Sequence, residues 1–132
     1  MTQIEKEAFL GNYIGCEIEW LRESDNKWIT TTLTASDFSF LVKKKCRLIA
    51  KTFESITDED AIELFDLLVP KHTDDDKEIK LKNVKRWIDK DGDEHLLEHA
   101  GTIIDFLRSK GYLLPFRQYS TEQLIESGIV KI

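Results

Sequence analysis

The run Ile103-Ile-Asp-Phe-Leu-Arg-Ser-Lys-Gly-Tyr-Leu-Leu-Pro-Phe-Arg-Gln-Tyr-Ser-Thr-Glu-Gln-Leu-Ile-Glu-Ser-Gly-Ile-Val-Lys-Ile132 assigns a structural job to almost every one of its positions. Ile103, Ile104 and Leu107 form the inward stripe of a helix from about Thr102 to Lys110, and Arg108 and Lys110 sit in its last turn, where the carbonyl dipoles favour cations. Gly111 supplies the left-handed residue of a Schellman stop, with Tyr112 against Leu107 as its hydrophobic contact. Pro115 keeps the chain extended. Ser120 and Gln123 match a capping box with Tyr119 and Leu124 as its staple, and Gly128 closes that second helix. Ile129, Val130 and Ile132 return as a short strand. These are instructions for folding; none of them is a chemical centre.

Upstream, Cys16, Ile18 and Trp20 alternate with Glu17 and Glu19, so residues 14 to 21 read as a strand. Arg22-Glu-Ser-Asp-Asn-Lys27 is a polar turn, and Trp28 to Thr34, rich in β-branched side chains, is the antiparallel partner. Residues 36 to 43 read as a short helix with Phe38, Leu41 and Val42 inward, and Arg47 to Phe53 alternates as a further strand. Thr57 is an N-cap followed by Asp58, Glu59 and Asp60, which suit the first-turn dipoles, and Ile62, Phe65, Leu68 and Val69 then form one apolar face up to Pro70. Ile79 and Leu81 alternate with Lys80 and Lys82. Asp91-Gly92 is a strong hairpin signal, because both central residues of the favoured turn need positive φ, so residues 85 to 90 are expected to pair with 93 to 98.

Together these elements predict an α+β fold: an antiparallel sheet of about five strands with two to four short helices, near 57 to 69, 102 to 110, 36 to 43 and 120 to 127. The expected core is Ile18, Trp20, Leu33, Leu48, Ala50, Ile62, Phe65, Leu81, Ile104 and Leu107. On length, 132 residues make a single domain that buries roughly two-thirds of its unfolded surface. Hydrophobic residues at 41% suffice for a core without a metal or disulfide staple. Cys16 and Cys46 lack paired spacing and the N-terminus lacks a signal-peptide run, so reduced thiols in a cytoplasmic protein are expected. No window approaches the ~18 apolar residues that a membrane span needs, so no membrane association is expected.

Nineteen basic against twenty-five acidic residues give a net charge of -6, which opposes sequence-independent attraction to phosphate or anionic lipid unless the cations are segregated. Some are. Lys43, Lys44, Lys45, Arg47 and Lys51 occur with no acid among them, whereas residues 54 to 66 hold six acids and no base. Lys43, Lys44, Lys45 and Arg47, with Lys82, Lys85 and Arg86 beside Trp87, could line a single-stranded nucleic acid; Lys-defended strand edges explain the same residues without a ligand.

His95-Leu-Leu-Glu-His99 matches the H-x-x-E-H pattern of inverted zinc peptidases. That pattern needs a helix, and the expected hairpin would set the two imidazoles roughly 13 Å apart, so they read as ordinary histidines. Asp89 to Glu94 resembles a calcium loop, but Glu94 stands where the turn needs Gly and Ala100 where the bidentate Glu belongs. Glu78-Ile79-Lys80 fits half of a metal-dependent nuclease signature, with both charged groups on one strand face and no convincing upstream Asp. No nucleophile motif, phosphate-cradling Gly loop or dinucleotide fingerprint occurs, and no metal or cofactor is expected.

The segments Leu107-Arg-Ser-Lys-Gly-Tyr112, Leu114-Pro-Phe-Arg117, Tyr119 to Lys131, Arg47 to Leu64 and Tyr13-Ile-Gly-Cys-Glu17 resemble small uncharacterised proteins of phages and prophages of gut Bacteroidetes. Where those proteins read Arg-Pro-Leu-Ser, this chain has Ala50-Lys-Thr-Phe-Glu-Ser55. The resemblance implies an accessory protein in a bacterial host cytoplasm and brings no activity with it. With no catalytic group apparent, the expected function is non-enzymatic binding of a protein partner, and the acidic helix displaying Asp58, Glu59, Asp60, Glu63 and Asp66 is the face to examine first.

Overall fold

The computed structural model describes residues 1–69, 76–89, 98–115 and 118–132. In chain order the helices and strands are α1 (Gln3–Leu10), β1 (Glu17–Arg22), β2 (Lys27–Thr32), α2 (Phe38–Leu41), β3 (Cys46–Ile49), α3 (Asp58–Leu68), α4 (Lys77–Asp89), α5 (Ala100–Lys110), α6 (Thr121–Glu126) and β4 (Val130–Lys131). The class is α+β. The chain divides into two compact units, Met1–Lys51 with Pro115–Ile132, and Thr52–Leu114.

The first unit holds all four strands, in the order β2-β1-β3-β4. The β1–β2 hairpin turns through the polar stretch expected for it, with Asn26 at φ 56° and the Arg22 guanidinium donating to Asp25 inside the turn. Ile18 pairs with Leu48 and Trp20 with Cys46 across β1 and β3. Ile18, Leu48 and Cys46 are buried, so this pleat face is the core face, and period two turns Glu19 and Arg47 to the other side. The sheet is mixed, with four strands where about five antiparallel ones are expected, because β4 runs parallel to β3. Leu48 donates to the Ile129 carbonyl at 2.7 Å and Ala50 to that of Lys131 at 3.0 Å. No hairpin turn joins β4 to its neighbour, so nothing local dictates its direction.

Helix α1 is an element that the hydropathy pattern does not announce, since only Phe9 and Leu10 of its residues are buried. Its signature is the capping box at its start: Thr2 accepts from the Glu5 amide and Glu5 reaches back to the Thr2 amide. The expected capping box of α6, Ser120 with Gln123, is present with both reciprocal bonds.

Among its described residues the second unit holds the helices α3, α4 and α5, preceded by a 3-10 turn at Phe53–Ser55. Thr57 caps α3, accepting from the Asp60 amide at 3.2 Å. The Schellman stop of α5 forms with both expected bonds, Tyr112 N–H to the Leu107 carbonyl at 2.9 Å and Gly111 N–H to that of Arg108 at 3.3 Å, with Gly111 at φ 81°.

Residues 79 to 82, which alternate in hydropathy, and residues 85 to 89 of the expected hairpin arm lie instead in the single helix α4. Alternation over four residues is compatible with either period; what selects the helix is the longer stripe Lys80, Val84, Trp87 at i, i+4, i+7. Val84 and Trp87 are buried, Ile79 is exposed, and Lys80 lays its stem inward while its ammonium reaches Asp66 at 2.6 Å. Asp76 accepts from the Ile79 amide and starts the helix. The second hairpin arm, the Asp91-Gly92 turn and His95 lie outside the described residues. Within the expected core, Trp20, Ile62, Leu81 and Ile104 are half-buried; Leu64 and Ile103 are fully buried on α3 and α5. Among the described residues no helix is long and apolar enough to cross a membrane.

Candidate functional site

Helix α2 is a single turn whose Leu41, followed by Val42, is buried beneath it. That anchoring turns Ser39 and Phe40 outward. Phe40 is 55% exposed, and among the described residues it is the aromatic side chain left most open to solvent. Its ring is nonetheless held. The half-buried Trp20 of β1 meets it edge-on, with ring centres 6.1 Å apart and planes at 74°, and the Lys44 ammonium stands 5.2 Å from its centre. Such an aromatic edge contact is worth about 0.5–1.5 kcal/mol beyond burial.

The backbone carrying Lys43 and Lys44 is tied down from α1. Gln3 Nε2 donates to the Val42 carbonyl at 3.0 Å and Lys6 Nζ to the Lys44 carbonyl at 2.7 Å. Glu23, in the β1–β2 turn, also lines this surface. Glu23, Ser39, Phe40, Lys43 and Lys44 thus line an open groove of about 370 Å³. It offers an apolar floor, two ammonium groups, one carboxylate and one hydroxyl, which is equipment for holding a ligand segment and lacks a nucleophile–base pair.

Most carboxylates of the acidic helix α3 have cationic neighbours within their own unit. Asp60 accepts from the Tyr112 hydroxyl at 2.7 Å and lies 3.9 Å from the Lys110 ammonium, Glu63 meets Lys110 at 2.8 Å, Asp66 meets Lys80 at 2.6 Å, and Asp58 lies 3.9 Å from Lys77. The Glu63 carboxylate and the neighbouring acids hold the Lys110 ammonium above its ordinary pKa. Four of the five carboxylates proposed for a partner therefore face cations of their own unit, and Glu59 is exposed.

The residues of the expected basic stripe come from both units. Lys43, Lys44, Lys45 and Arg47 belong to the first unit, and Lys82, Lys85, Arg86 and Trp87 to the second. Arg47 stacks 3.9 Å from the centre of the Trp28 ring and donates to Glu19 at 3.1 Å, so that guanidinium is already engaged, and Lys131 also approaches Glu19 at 3.4 Å. Lys82, Lys85 and Arg86 are exposed on α4, with Arg86 bonded to Asn83. Trp87 is not a stacking platform: it is 3% exposed and lies parallel to Phe65, ring centres 5.8 Å apart and planes at 6°.

Glu78 and Lys80 do not share a face, because two residues on a helix diverge by about 200°. His99 sits at the start of α5 with its carbonyl accepting from Ile103. Among the described residues no three His, Cys, Asp or Glu side chains gather as a metal site needs.

Phe40 and Glu23 are the groove residues that the sequence reading passes over. The signal for Phe40 was present: once Phe38, Leu41 and Val42 take the inward face, the second aromatic of Phe38-Ser-Phe40 is left outside, next to three consecutive lysines. Glu23 had no signal, since only the hairpin brings it opposite. No protein-family model, curated protein or solved structure matches this chain.

Proposed function

We propose that this protein acts non-enzymatically, as a phage-type accessory protein in a bacterial cytoplasm, by binding a protein partner through the Phe40 groove of its first unit. The observation that carries the reading is one exposed aromatic ring fixed between Trp20 and Lys44 in a groove, while the acidic helix spends most of its charge on its own unit. Exposed aromatics in partly formed pockets are the usual anchors of protein interfaces. What supports the phage setting is the resemblance of residues 13–17, 47–64, 107–112, 114–117 and 119–131 to such proteins, and the two cysteines, Cys16 and Cys46, both buried, suit a reducing compartment.

The test is capture from a Bacteroidetes lysate by the wild-type protein beside Phe40→Ala and Lys44→Glu, each checked for folding by circular dichroism. A captured protein that both substitutions release supports the groove; identical capture by all three removes it. Single-stranded nucleic acid is the second reading, favoured by Lys43 and Lys44 lining a groove with an exposed ring, with Lys45 next in sequence. Its mark is binding that falls steeply with salt and is lost on charge reversal at Lys44 and Lys45.

A further inference from the structure

We infer that the Phe40 groove receives an acidic peptide segment in which a carboxylate flanks an aromatic or branched aliphatic side chain, with an amide or hydroxyl donor turned to Glu23. This inference rests on reading the groove as a protein-binding site and names the chemistry of what it binds.

The argument is one of charge and shape complementarity. Lys43, Lys44 and Lys45 form no ion pair with any described residue, in contrast to Lys77, Lys80 and Lys110 of the second unit, which all meet carboxylates. Lys43 and Lys44, the two that line the groove, carry like charge, so an incoming carboxylate is attracted to both. Phe40, held by Trp20, gives the apolar part of the segment a surface on which to bury area, and a groove of about 370 Å³ accommodates a few side chains.

Glu23 decides between peptide and polynucleotide. A polynucleotide would bring a negative charge at every phosphate past that carboxylate, whereas a peptide can set an uncharged backbone N–H or hydroxyl donor against it. Ser39 adds a hydroxyl that can serve either polarity. Arg47, the next cation along the chain, is engaged by Glu19 and Trp28, so the cationic track ends where a polynucleotide would need it to continue. The chain's net charge of -6 repels a polyanion at long range far more than a segment carrying two or three carboxylates.

The test is fluorescence anisotropy with a fluorescein-labelled peptide centred on Asp-Asp-Phe-Asp-Ser, beside the same peptide with Lys for Asp, the same peptide with Ala for Phe, and a labelled oligothymidylate. The expected result is saturable binding of the acidic aromatic peptide alone, weakened about tenfold or more by Phe40→Ala and by Lys44→Glu, and weakened as salt rises. Phe40 and Lys44 lie at the surface of the unit, so both variants are expected to keep the wild-type circular dichroism spectrum. Absence of peptide binding, or binding that neither substitution alters, overturns the inference. If lysate capture still depends on Phe40 and Lys44 in that event, the protein-partner reading stands and only the acidic chemistry falls. Tighter binding of the oligothymidylate than of any peptide overturns both. A dimer in sedimentation that Lys44→Glu dissociates overturns the inference in favour of a second copy of this chain.

Discussion

The Tyr112 hydroxyl donates to the Asp60 carboxylate at 2.7 Å and accepts the Thr57 amide at 3.3 Å, so one side chain just past the end of α5 is locked to the N-terminal turn of α3. Tyr112 is 1% exposed, and burial together with the adjacent Asp60 carboxylate raises its phenol above the ordinary pKa, keeping it a donor. The arrangement explains why Asp60 belongs to the unit's architecture more than to its surface.

Tyr112→Phe keeps the ring and deletes both bonds. A buried hydrogen bond to a charged group contributes about 1.5–3 kcal/mol. Urea unfolding of the variant should show a loss of that order, with the m-value unchanged.

Trp87→Ala tests whether that ring is a ligand platform or part of the core. Truncating a buried aromatic costs about 3–5 kcal/mol. The variant should unfold at much lower urea, whereas Lys85→Glu and Arg86→Glu on the exposed face of α4 should each shift stability by no more than about 0.5 kcal/mol.

Glu5 accepts a hydrogen bond from the Tyr119 hydroxyl within the first unit, and that bond, followed by those from Thr2, holds the Glu5 carboxyl below its ordinary value of 4.5. A carboxyl whose folded pKa is depressed stabilises the fold above its unfolded pKa and loses that contribution as pH falls through the folded value. Tyr119→Phe removes the largest cause. Urea midpoints measured from pH 7 down to about 3 should therefore show a gap between wild type and variant at neutral pH that narrows below the ordinary carboxylate range. A gap that stays constant or widens as pH falls would contradict the coupling.

Gly111→Ala probes the stop of α5. The residue has φ 81° and a Cβ there would meet nothing within 4 Å, so the cost is conformational alone. About 1 kcal/mol is the expected loss in urea unfolding, and Gly111→Asn should recover part of it, since Asn tolerates the left-handed region.

Much of the helix punctuation could be read in the linear chain. Thr57, Ser120 with Gln123, and Gly111 act on backbone groups within four residues of themselves, so the sequence contains both partners of each interaction. The β1–β2 hairpin was legible for a similar reason, with the polar turn and the alternating arms adjacent in the chain. Helix α4 was not. Ile79, Lys80, Leu81 and Lys82 satisfy period two over their short span, and Lys80 occupies an inward position that a hydropathy reading assigns to an apolar residue. Its stem lies beneath Phe65, whose ring centre is 5.9 Å from the ammonium, and its charge is met by Asp66. The candidate site was half legible: the lysines and the aromatic are neighbours in sequence, but Glu23 and Trp20 come from a strand and a turn that only folding brings alongside.

By itself, then, the chain specified its α+β class, the caps and stops of most of its helices and the segregation of its charge, because those depend on near neighbours and on composition. Tertiary structure alone decided that β4 joins β3 in parallel, that α4 is a helix, that Trp87 stacks inside on Phe65, that the carboxylates of α3 meet Lys77, Lys80 and Lys110, and that Glu23 and Trp20 come beside Phe40. Each of these depends on which distant side chain takes up a given face, and burial and charge pairing are set by distance in space, which separation along the chain does not encode.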